Sequence, residues 1–141
     1  KELLSQDIQN RNILVTGAGG SIGSEICRQA IYQKPKLLIL FEISEHALYK
    51  IEKELLEIKS DVQIMAVLGN VTNKQRLKII FDRYNVHTIY HTAAYKHVPL
   101  FEDNIDFCWR NNLEVIFNLD FLCLCSGRFT ICFKIYTSTA F

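Results

Sequence analysis

Gly17, Gly20 and Gly23 stand at GxxGxxG spacing, with Gly19 among them and the apolar run Asn12-Ile13-Leu14-Val15-Thr16 just before. Such a turn does what side chains forbid: it takes up unusual backbone angles and lets main-chain amides approach a ligand closely. Where the turn opens a helix, the first helical N–H groups face the same spot and carry the positive end of the helix dipole. The chemistry this permits is recognition of a pyrophosphate, by Gly17, Gly19, Gly20 and Gly23 through bare backbone and by Ser21 and Ile22 through the opening amides of the helix. The spacing departs from the commoner GxGxxG dinucleotide fingerprint, but the physics is unchanged. A glycine-rich turn with no ligand is the plain alternative.

Other candidates follow at the ends of later apolar runs. Glu42 closes the run 36–41, where the fingerprint requires a carboxylate to accept from the ribose hydroxyls. That charge would repel a 2′-phosphate, and no arginine follows within the next several residues, so NAD is expected and NADP disfavoured. Glu42 can also serve as an N-terminal charge for the helix starting near Ser44, worth about 0.3–1 kcal/mol. Gly69-Asn70-Val71 stands where such folds place an adenine, with Asn70 able to accept from its amine and donate to a ring nitrogen. A cap on a helix starting near Thr72 explains Asn70 equally well.

Further on, Ala93 and Ala94 leave room for a flat ligand, and Tyr95, Lys96 and His97 cluster just past the fourth run, at the sheet edge where open α/β folds bind ligands. Ala93, Ala94 and Tyr95 are assigned to the cofactor side, Lys96 and His97 to a substrate. Asn112, next to Asn111, either orients backbone or water near a nicotinamide or caps a helix.

The elements that must position these residues are read from periodicity. Apolar spacing predicts strands over 12–16, 36–41, 62–68, 86–92 and 129–136. Helices are expected over 21–33, where Pro35 stops the chain, then from Ser44 through Leu48, Ile51, Leu55 and Ile58, then over 72–84. A short helix near 100–107 and a longer one near 106–125, broken by Gly127, precede the last strand. Strict alternation predicts an α/β fold, a Rossmann-type doubly wound parallel sheet of about five strands in the order 3-2-1-4-5 with helices on both faces. Residues 1–11 read as a lead-in and 12–141 as one NAD(P)-binding domain.

Composition narrows the partners. Sixteen Lys plus Arg oppose fifteen Asp plus Glu, so no electrostatic argument favours nucleic acid or an anionic membrane. Five cysteines, an odd number scattered through apolar segments, suit reduced thiols in the cytoplasm and not a disulfide framework. Cys123 and Cys125 do not face each other on a helix, so no metal site is expected. The apolar stretch 113–141 is interrupted by Glu114, Asp120, Arg128 and Lys134 and offers no membrane span. With no initiator Met, Lys1 is expected to be a fragment's start, and any membrane segment would precede it. An open edge after the fifth strand would favour homo-oligomers.

On NILVTGAGGSIGSEICRQ from Asn12, LFEISE from Leu40 and above all AAYKHVPL from Ala93 with Arg110-Asn111-Asn112, the chain resembles the CapD-type polysaccharide biosynthesis proteins, nucleotide-sugar 4,6-dehydratases of the extended short-chain dehydrogenase/reductase superfamily. The resemblance implies a bound NAD that takes hydride from C4 of a UDP-N-acetylhexosamine, making the C5 proton acidic so that the C6 hydroxyl leaves, and hydride returning to C6. The product would be a 4-keto-6-deoxy sugar for capsule, O-antigen or other glycan synthesis.

The chain also departs from the family. Where a Ser-Thr-Asp-Lys stretch is expected it reads Thr137-Ser138-Thr139-Ala140-Phe141, and Leu113-Glu114-Val115-Ile116 replaces Val-Leu-Gly-Thr. The family's Tyr- or Met-xxx-Lys element and substrate domain would lie beyond Phe141. No catalytic residue is therefore assigned, and the chain is expected to be inactive alone. A nucleotide-sugar epimerase or reductase of the superfamily, or a non-catalytic nucleotide-binding remnant, are the other readings.

Overall fold

β1 (Asn12–Thr16), β2 (Leu37–Glu42) and β4 (Thr88–His91) are buried at every position, their polar ends included, as strands covered on both faces are. The computed structural model describes residues 7–93, 118–119, 121–122 and 131–134. Between those strands lie α1 (Ser21–Tyr32), α2 (Glu45–Glu57), β3 (Gln63–Leu68) and α3 (Lys74–Tyr84), and β5 (Ile131–Lys134) follows. All pairings are parallel, in the order β3-β2-β1-β4-β5. The expected fold class and strand order are those found.

Alternation along the strands divides the core into two layers. Ile13, Val15, Leu38 and Leu40 face Cys27, Ala30 and Ile31 of α1 and Leu48, Ile51 and Leu55 of α2. Leu14, Ile39, Phe41 and Ile89 face Leu77, Ile80 and Phe81 of α3, joined by Leu119 and Leu122. Successive strand side chains point to opposite faces, so one parallel sheet needs both layers. The lead-in also contributes: Ile8 is buried in the first layer, and the Thr88 hydroxyl donates to the Asp7 carbonyl at 2.7 Å.

Several boundaries differ from expectation for local reasons. α1 stops at Tyr32, because Lys34 turns to φ 54° ahead of Pro35. α3 starts at Lys74 and not near Thr72, because the Asn73 side chain accepts from the Arg76 N–H at 3.0 Å and so caps the helix. Ser44 caps α2 in the same way through Ala47 N at 3.3 Å. β4 is shorter than its apolar run. The expected helices over 100–125 lie outside the described residues except at 118–119 and 121–122, which are helical. Among the described residues no helix is long and apolar enough to cross a membrane.

Burial in the first layer pushes the Cys27 thiol up to about 12, and burial, with a smaller contribution from Asp7, raises the Tyr90 hydroxyl to about 12. Both groups keep their protons in the fold where the unfolded chain would lose them. Stability should therefore fall as pH rises from the ordinary thiol range towards 12, in urea titrations across that window. Iodoacetamide at pH 8 should leave the Cys27 peptide unmodified in the native chain and label it after denaturation; labelling at equal rates would contradict this burial.

Candidate functional site

Parallel pairing brings the carboxyl ends of β1, β2, β3 and β4 to one edge, so Thr16, Glu42, Leu68 and His91 lie along it. The chain runs outward from β1 through β2 to β3, then returns to place β4 on the other side of β1. At such a reversal the loops diverge and leave a crevice, the usual ligand position in open α/β sheets. The glycine turn occupies that point: a Cβ on Gly17 would lie 2.9 Å from the Ala93 nitrogen, just past β4.

The glycines divide by what crowds them. Gly17 has φ +67°, a left-handed conformation that side chains rarely adopt. A Cβ on Gly23 would come within 2.0 Å of the Gly17 carbonyl oxygen and 2.8 Å of the Thr92 hydroxyl, and one on Gly19 within 2.5 Å of the Ala47 Cβ at the start of α2. These three are required by packing. Gly20 is the least crowded: its backbone is extended (φ −71°, ψ 170°), it is exposed, and a Cβ there would meet only the Gly17 oxygen, a tight approach at 3.3 Å. An absent side chain that the fold itself hardly needs leaves room for something outside the fold.

α1 differs from the other two helices in its opening. Gly20 is its N-cap and supplies no side-chain hydrogen bond, whereas Ser44 and Asn73 cap α2 and α3; its first turn, like that of α3, carries no acidic residue. The amide ends at Ser21, Ile22 and Gly23 are thus left with the positive end of the helix dipole and without a capping side chain, an arrangement suited to an anion.

Glu42 is 8% exposed and sits beside this turn. Its Oε2 accepts from Gly19 N–H at 2.9 Å, and its Oε1 accepts from the N–H groups of Ile43 and Ser44 at 2.9 and 3.1 Å. The carboxylate therefore ties the turn to the start of α2. One role matches expectation, a charge at a helix start; the bond to Gly19 is a second that the sequence did not signal.

The other candidates are placed as follows. Asn70 accepts from Thr72 N–H and Thr72 hydroxyl, both at 2.9 Å, so its Oδ1 closes a local turn. Val71 is buried in the second core layer. Gly69 donates to the Glu42 carbonyl at 2.9 Å, and a Cβ on it would strike the Phe41 ring at 2.6 Å. Ala93 is half-buried beside Gly17. Ala94, Tyr95, Lys96, His97 and Asn112 lie outside the described residues.

Two contacts had no signal in the sequence. Thr16 Oγ1 lies 2.7 Å from His91 Nδ1 across the β1–β4 pair, and the Thr92 hydroxyl donates to the Thr16 carbonyl at 2.7 Å. Both join residues some 75 positions apart, and only the register of β1 on β4 brings them together.

A fold of this kind that tolerates no Cβ at Gly23 but has room at Gly20 makes its own stability test. Gly23→Ala should cost about 1–3 kcal/mol or more by overpacking, and Gly20→Ala clearly less, in urea unfolding; equal losses would contradict the division.

Comparison with known proteins agrees with this architecture. The family model described as polysaccharide biosynthesis protein matches residues 13–132. The capsular polysaccharide biosynthesis protein CapD of Staphylococcus aureus is 42% identical over 112 residues, 79% of this chain and 19% of that protein. The UDP-N-acetylglucosamine 4,6-dehydratase (inverting) of Campylobacter jejuni serotype O:23/36 is 29% identical over 118 residues, 83% of this chain and 34% of that protein. Among solved structures, a UDP-glucose-4-epimerase of Stenotrophomonas maltophila, with bound NAD and formylated UDP-arabinopyranose, superposes with a TM-score of 0.75 at 17% identity. It covers 92% of this chain and 38% of that one. The chain thus spans only a fifth to a third of the curated relatives' length, and within that span it belongs to the polysaccharide biosynthesis protein family.

Proposed function

We propose that this chain is the NAD-binding portion of a nucleotide-sugar 4,6-dehydratase acting on a UDP-N-acetylhexosamine in polysaccharide synthesis. The observation that carries the reading is Gly20, a glycine with little internal reason to be one, at the uncapped start of α1 and next to Glu42. In the family setting the ligand that needs such a surface is a dinucleotide.

In this reading the backbone of Gly17, Gly19 and Gly20 and the amides of Ser21, Ile22 and Gly23 hold the pyrophosphate. Glu42 accepts from the adenosine ribose with the lone pairs its three amide donors leave, and excludes a 2′-phosphate by charge, so NAD is preferred to NADP. Asn70 and Val71 border the adenine; Ala93, Ala94, Tyr95 and Asn112 border the nicotinamide side; Lys96 and His97 meet the UDP-sugar. When bound, NAD would supply a reversible hydride carrier, taking hydride from the sugar carbon that is oxidised, C4, and returning it to the one that is reduced, C6. Acid–base work needs groups positioned at the sugar, and Thr137 to Phe141 carry neither the acid nor the lysine of the family. The chain is accordingly proposed to bind cofactor in the cytoplasm without completing the reaction alone.

Calorimetry should detect NAD binding to the 141-residue chain, stronger than NADP binding. Gly20→Val should keep the circular dichroism spectrum and lose NAD affinity by more than about tenfold, or 1.4 kcal/mol; unchanged affinity would refute the assignment of the turn. Incubation with NAD and UDP-N-acetylglucosamine should give no 4-keto product. Sustained turnover by the chain would overturn the proposed inactivity.

A further inference from the structure

The glycine turn is held from two sides, and one of the holders is Thr92. From the β2 side, the Phe41 carbonyl accepts the N–H groups of Gly17 and Ala18 at 2.8 and 3.3 Å, and Glu42 accepts that of Gly19. From the β4 side, the Thr92 N–H and hydroxyl both donate to the Thr16 carbonyl, at 3.1 and 2.7 Å, and the hydroxyl also reaches the Gly17 carbonyl at 3.3 Å. A peptide unit is planar, so its carbonyl and its N–H point in opposite directions and move together. The units Thr16–Gly17 and Gly17–Ala18 are thus gripped at both ends, N–H on Phe41 and C=O on Thr92.

Orientation of these two units matters because their oxygens carry partial negative charge. A carbonyl rotated towards the crevice would repel a diphosphate and take a neighbouring amide with it. We infer that Thr92 is a positioning residue for pyrophosphate recognition: its hydroxyl, beside its N–H, keeps the Thr16 and Gly17 carbonyls turned towards β4 and out of the crevice, so that an anion meets the opening amides of α1 without reorganisation. The inference rests on the dinucleotide reading above and adds a residue to it. The Gly17 oxygen also accepts from Gly20 N–H at 3.0 Å and abuts Gly23, so a shift at Thr92 is passed directly to the exposed glycine.

The test compares NAD, ADP and adenosine as calorimetric probes of the 141-residue chain. Thr92→Val replaces the hydroxyl with a methyl group of similar size. It should weaken NAD and ADP about fivefold, the worth of one neutral hydrogen bond, and leave adenosine, which has no phosphate, unchanged. Thr92→Ser should restore the affinity. Amide hydrogen exchange at Gly17 to Gly20 should quicken in Thr92→Val without nucleotide, while amides within β2 keep their protection. Should Thr92→Val fold poorly, Thr92→Ala makes the same comparison without the branch. Equal NAD affinity in wild type and variant, or equal weakening of adenosine, overturns the positioning role and leaves the cofactor reading standing. A wild-type chain that binds neither NAD nor ADP overturns both.

Discussion

The carbonyl oxygen of Gly17 lies so close to the α-carbon of Gly23 that a Cβ there would sit 2.0 Å from it, and the rest of the site depends on that contact. It seats the first turn of α1 against the end of β1, so the helix leaves the sheet edge with its amide end at the crevice. It also brings the glycine turn against the start of α2 at Ala47 and against the segment after β4 at Ala93. Three close approaches around one turn therefore join three strand ends. Glycine at 17, 19 and 23 is a packing requirement before it is a binding feature.

From that contact the hydrogen bonds around the turn acquire their order. Phe41 and Glu42 at the end of β2 accept from the turn's N–H groups, while Thr92 after β4 donates to its carbonyls. Polar groups in a partly buried turn must find partners, and here the two neighbouring strands divide the donors and acceptors between them. What is left unpaired by capping side chains is the amide end of α1. The carboxylate of Glu42 is fixed by three backbone donors and not by a mobile cation, which makes its position part of the backbone geometry. The surface pairing of Arg28 with Glu54 and Glu25 lies away from this edge and, half-exposed, adds little to stability.

Much of the architecture was readable because it rests on local rules. Buried parallel strands need uninterrupted apolar runs, and 12–16 and 36–41 show them; Pro35 and Ser44 mark helix limits through backbone chemistry confined to a few residues. The error of two positions at the start of α3 came from Asn70, Thr72 and Asn73 all being competent caps. Only the closed turn at Asn70 settles which of them the helix uses. Val71, expected beside the adenine, turns its side chain into the second core layer, so a role there would fall to its backbone.

By itself, the sequence determined the alternating elements, the parallel doubly wound sheet, the glycine turn between β1 and α1 and Glu42 as the acidic end of β2. Periodicity and residue type suffice for these, because each is a property of one short segment. Only the tertiary structure decided which glycine is spare, that Ile8 of the lead-in enters the core, and that Thr92 reaches across to Thr16 and Gly17. Those facts depend on distances between segments far apart in the chain, and such distances come into being only when β1 takes its register between β2 and β4.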